Sequence, residues 1–179
     1  MLHIVSPRWS GHLARLALLF VVAGLVATGA AAAQDAPADF TISVETRPTH
    51  EFDVEDVILV MMDAQGATSI KDFVLGGEYR EAMSITLDQS ARDQIWAQVV
   101  EADFFNRDST YHNERVMGGD LAVITVTANG QRHAVQLINY PLPVVDRIVG
   151  ILNSHIPPGH QIFYNALVYP DAYGPMEEQ

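Results

Sequence analysis

The sequence predicts an α+β domain, an antiparallel sheet of about five strands with two amphipathic helices packed on one face. Three observations carry that expectation. Several segments alternate apolar and polar residues with period two, two others carry apolar stripes at helical spacing, and Asn129-Gly130 sits between two strand-like runs.

Phe40 to Glu45 alternates and so reads as a strand with one buried face, broken by Arg47-Pro48-Thr49-His50. Val57 to Met62 is a continuous apolar run, which predicts a strand buried on both faces; Asp63 to Gly66 then turns the chain. By the same logic Met61 and Met62 are core filler. Ala67 to Leu75 is the expected hairpin partner, ended by Gly76-Gly77. Met83, Ile85 and Leu87 alternate with Ser84 and Thr86 in another half-buried strand.

Asp88 or Ser90 is placed to cap a helix running to about Glu101, because either side chain can accept a bond from an orphaned backbone N–H. Ala91, Ile95 and Val99, with Trp96 and Val100, make its apolar stripe. Phe104-Phe105 plugs the core edge, and the polar stretch Asn106 to Gly119, closed by two glycines, reads as a long surface loop.

Asn129-Gly130 favours a two-residue type I′ hairpin because both central residues need positive φ. The flanking strands are Asp120 to Ala128 and Gln131 to Asn139. A two-residue loop sets the register: Ala128 faces Gln131, Val126 faces His133, Ile124 faces Val135, and Ala122 faces Leu137. The apolar residues of both strands then share one face, and Thr125, Thr127, Arg132 and Gln136 occupy the other. Pro141 and Pro143 start the second helix, where a missing N–H costs little. Its face is Val145, Ile148, Val149, Leu152 and Ile156, and Pro157-Pro158-Gly159 ends it.

The 179 residues are 49% hydrophobic and 18% charged, with no cysteine and a formal net charge of −12. These values exclude a disulfide-stapled miniprotein, a thiolate metal site and a cysteine nucleophile. Arg8 and Arg15 precede an apolar run from Leu16 that ends in Ala30 to Ala33, the pattern of a secretory signal peptide over residues 1–33. Its removal would take away two arginines and no acid, leaving a still more acidic chain with no lipid-bearing cysteine. The expectation is therefore a periplasmic or extracellular protein with no stable membrane anchor, whose surface repels nucleic acid. Residues 34–39 read as an unstructured linker, 40–158 as the α+β domain, and 159–179 as an aromatic-rich tail. That tail would add an edge strand, cover the mixed face of the sheet, or bind a partner.

Chemistry-bearing motifs are sparse. Glu51, Asp53, Glu55 and Asp56 supply oxygen ligands of the kind calcium takes, yet EF-hand spacing and its turn glycine are absent. His50, His112, His133, His155 and His160 are scattered singly, without zinc-ligand spacing. His133, on the core face, is expected to be partly buried with a hydrogen bond. No G-x-S-x-G elbow surrounds Ser69, Ser84 or Ser90, and no phosphate-cradling glycine loop occurs. No catalytic, cofactor-binding or metal residue is therefore assigned.

The order of elements resembles small secreted or lipid-anchored bacterial domains of unknown function. The likeness lies in the Thr86-Leu87-Asp88-Gln89-Ser90 cap, the helix ending at Asp103-Phe104-Phe105, the glycine-closed loop, the Asn129-Gly130 hairpin and the proline-started last helix. It spans about Phe40 to Pro158. More distantly, the same order is similar to emfourin-type inhibitors of thermolysin-like metalloproteases, although no inhibitory residue maps onto this chain. The resemblance implies export and this fold. The functional expectation is an exported, acidic, non-enzymatic domain that binds a protein or envelope component through its open sheet face, the loop Asn106 to Gly119, or the tail. The alternatives are a protease inhibitor and a hydrolase using the Glu51 to Asp56 carboxylates, with or without calcium.

Overall fold

The computed structural model describes residues 34–49, 57–74, 77–116 and 118–164. The expected leader, the acidic loop Glu51 to Asp56 with His50, and the tail beyond Tyr164 lie outside these residues. No described helix is long and apolar enough to cross a membrane.

The chain forms β1 (Thr41–Pro48), β2 (Ile58–Met62), β3 (Ala67–Val74), β4 (Glu78–Thr86), α1 (Gln89–Glu101), a one-turn 3-10 helix (Phe104–Asn106), β5 (Thr110–His112), β6 (Asp120–Ala128), β7 (Gln131–Ile138) and α2 (Pro143–His155). The sheet order is β4-β3-β2-β1-β6-β7-β5. Seven strands replace the five expected, and the sheet is mixed: β5 lies parallel to β7, with Thr110, Tyr111 and His112 opposite Gln136, Leu137 and Ile138. This edge strand falls in the segment expected to be surface loop, where three residues among polar neighbours are too few to display a period.

The β6–β7 hairpin has the expected register, from Ala128 opposite Gln131 to Ala122 opposite Leu137. Strand β1 inserts between β2 and β6, so Val44 faces both Val60 and Ile124. The inward residues Ile42, Val44, Val60, Met62, Ile70, Ile124, Val126, Val135 and Leu137 form one core with Ile95, Trp96 and Val99 of α1 and Val145, Ile148 and Leu152 of α2. Both helices therefore cover the same face.

Asp88 is the cap of α1, accepting the Ala91 N–H at 2.8 Å. The stripe departs from expectation at one position, because Val100 is exposed and Arg92 is buried in its place. Arg92 packs its stem beside Gly66 and donates to Gln89. The Val57–Met62 run is also corrected: burial alternates from Leu59 to Met62, and Met61 is 38% exposed while Met62 is 2%. Continuous hydrophobicity here reflects two apolar residues, Leu59 and Met61, on the uncovered face, not burial on both sides.

Two further expectations change. Residues 34–39 are tied down, because the Ala36 N–H donates to Asp93 and the Asp39 carboxylate accepts the Asn129 and Gly130 N–H groups at 2.8 and 2.7 Å. Those two bonds, Gly130 first, favour the ionised form and hold the Asp39 pKa below its ordinary value. The start of the tail packs on the helix side and not on the mixed face. Ile162 and Tyr164 are buried, Asn153 brackets Ile162 with two hydrogen bonds, and the Tyr164 hydroxyl accepts the Tyr140 N–H at 3.0 Å.

The loop before β6 closes on Asn139, which is buried with φ 53. Its Oδ1 accepts the Asp120 N–H at 2.9 Å and its Nδ2 donates to the Gly118 carbonyl. Gly119 (φ +92) leaves the room this amide needs, since a Cβ there would lie 2.1 Å from Asn139 Oδ1.

Candidate functional site

Because both helices lie on one face, the opposite face of the sheet has no helix over it among the described residues. Side chains alternate across a strand, so the residues between the core positions all point to this face. The register assembles them into ranks. One runs Ser84, Ser69, Met61, Ser43, Thr125 across β4, β3, β2, β1 and β6. A second brings together Thr41, Thr127 and Arg132, with Ala67 opposite Thr86 on the other side. These residues, with Asp63, line a groove of about 850 Å³.

Several features set the groove's ends. Asp63 shapes the β2–β3 turn by accepting the Gln65 and Ala67 N–H groups, both at 2.9 Å. Asp39 pins the β6–β7 turn, which locates Thr127 and Arg132. Each hydroxyl can donate one hydrogen bond and accept two, and the thioether of Met61 adds a polarizable apolar centre. Asp63 and Arg132 balance in charge, so the groove is locally neutral in a strongly acidic chain.

Further along the same face Phe73 and Tyr79 pack edge to face at 5.3 Å. Between Ile70 and Lys71 the β3–β4 register slips by one residue, a bulge that leaves Ala82 unpaired. The Tyr79 phenol is pushed up to about 12, first by desolvation and then by the charge of Glu45 and a hydrogen bond to it; Arg47 opposes this. A raised phenol stabilises the fold fully below pH 10, the model-peptide value, and that contribution disappears as pH rises toward 12. In an ultraviolet titration the step that Tyr79→Phe removes should therefore lie near pH 12. Glu45→Gln should lower it only part of the way, because desolvation, the larger cause, remains; an unchanged midpoint in that variant would refute the Glu45 contact.

Among the described residues, the histidines singled out for chemistry are not brought together. Tyr111 packs on Tyr140, ring centroids 5.1 Å apart, while His112 is exposed on β5. His133 lies at the other end of β7 against Phe104, with centroids 5.7 Å apart. It is half-buried as expected, but its buried Nε2 has no hydrogen-bond partner. His155 ends α2 and His160 follows it in a turn. Among the described residues no three His, Cys, Asp or Glu side chains are grouped to hold a metal ion. Ser84 donates to Glu81 at 2.6 Å on the exposed edge strand, and Ser90 bonds Gln94 on α1.

Sequence reasoning assigned no role to the hydroxyl ranks. The signal was present only locally, as Thr125 and Thr127 on one hairpin face; joining them to Ser43, Ser69 and Ser84 requires the strand order. The sequence matches no protein-family model and no curated protein.

Proposed function

We propose that the chain is a non-enzymatic binding domain that takes a protein partner on its open sheet face. The observation that carries this reading is Met61, a large apolar side chain 38% exposed at the centre of a hydroxyl-lined groove. Phe73, Tyr79 and Arg132 extend the same face with residue types enriched at interfaces, where apolar anchors supply contact area and hydroxyls supply adaptable hydrogen bonds. A secreted or periplasmic setting, implied by the leader-like N-terminus, would place that partner in the cell envelope or outside it.

The test is a photo-crosslinking residue at position 61, compared with one at Val100, which is exposed on α1. In the native envelope fraction, position 61 should yield a discrete adduct that unlabelled domain competes away, and position 100 should not. Met61→Lys should shift stability by less than about 1 kcal/mol, because the site is partly solvated, and it should lose the ability to compete. Equal adducts at both positions, or full competition by the variant, would remove this face as the binding site.

A further inference from the structure

We propose that Asn129 is a latent modification site, an Asn-Gly pair whose conversion through a cyclic imide is held back by the carboxylate of Asp39. Imide formation uses the Gly130 amide nitrogen as nucleophile. That nitrogen loses its proton to a solvent base and attacks Asn129 Cγ; the N–Cγ bond forms, the Cγ–Nδ2 bond breaks, and ammonia leaves after taking a proton from water. Water then opens the imide at either carbonyl, giving an aspartyl or an isoaspartyl linkage at position 129.

The pair is chemically open. Both residues are exposed, and beyond Gly130 and its two chain neighbours no heavy atom lies within 4 Å of where a Gly130 Cβ would be, so base and water reach them freely. What restrains them is the hydrogen-bond arrangement. The Gly130 N–H donates to Asp39 Oδ2 at 2.7 Å and the Asn129 N–H to Oδ1 at 2.8 Å. Removing the Gly130 proton would leave a nitrogen anion at hydrogen-bond distance from a carboxylate, and like charges that close disfavour ionisation. The same two bonds fix the turn backbone, with φ 53 at Asn129 and φ 72 at Gly130, against the rotation that brings nitrogen to Cγ. An isoaspartyl linkage would add a methylene to the main chain inside a two-residue turn, and a turn of that length has no slack to absorb it.

The experiment incubates the full chain at mildly alkaline pH and follows the tryptic fragment 116–132 by mass to detect loss of the amide, with chromatography separating the aspartyl and isoaspartyl isomers, which have equal mass. Folded wild-type chain should convert much more slowly than chain held in urea. Asp39→Ala and Asp39→Asn, each verified as folded by circular dichroism, should convert faster than wild type. Roughly tenfold is expected for the alanine variant, the factor for freeing an amide from one charge-assisted hydrogen bond. Equal rates in folded and urea-unfolded wild type would overturn the proposal whether or not the variants fold. A folded Asp39→Ala that converts no faster than wild type would overturn it as well.

Discussion

Ile124→Ala is expected to destabilise the fold by about 4 kcal/mol, toward the upper end for an isoleucine emptied from a rigid core. Ile124 is fully buried on β6, opposite Val44 on one side and Val135 on the other, and it belongs to the core beneath both helices. Neighbours on paired strands cannot close the void without breaking the ladder, so the lost transfer energy and the cavity add. Equilibrium urea unfolding measures the effect. A loss below about 1 kcal/mol would mean that the site collapses freely and the sheet is not close-packed there.

Gly66→Ala should cost about 3 kcal/mol, through two separable causes. The first is its φ of +86, which an L side chain resists; the second is steric, since a Cβ would lie 2.4 Å from the Leu87 carbonyl oxygen. That carbonyl is backbone and cannot swing aside as a side chain would. Gly66 also accepts the Leu87 N–H at 2.9 Å and the Thr68 hydroxyl at 3.1 Å, so the β2–β3 turn is bound to the strand end that leads into α1. Gly130 shares the positive φ, at 72, but has open space around it. Gly130→Ala should therefore show only the backbone cost of about 1–2 kcal/mol, and the difference between the two variants isolates the clash.

How much of this was legible in the sequence depended on how far apart the determining residues lie. The β6–β7 register was readable because Asn129-Gly130 dictates a two-residue turn and the pattern from Ala122 to Leu137 agrees with it. The Asp88 cap and most of the α1 stripe were readable for the same reason, since a helix repeats within a few residues. Misreadings arose where tertiary placement decides burial. The Val57 to Met62 run looks doubly buried, yet Leu59 and Met61 face the side that no described helix covers. Thr110 to His112 becomes a strand only because the β7 edge is available to it. Asp39 looked like linker, and its role appears only when a turn 90 residues away reaches it. The groove depends on β1 lying between β2 and β6, a non-local pairing that no local pattern encodes.

The absence of native cysteine allows the two faces of the sheet to be compared directly by single-thiol accessibility. Ser43→Cys, Met61→Cys and Ser84→Cys should react with a maleimide in the folded chain, whereas Val44→Cys and Met62→Cys should react only as the chain unfolds. Equal protection of all five thiols would show that the hydroxyl-lined face is covered, and the binding surface proposed for it would not exist.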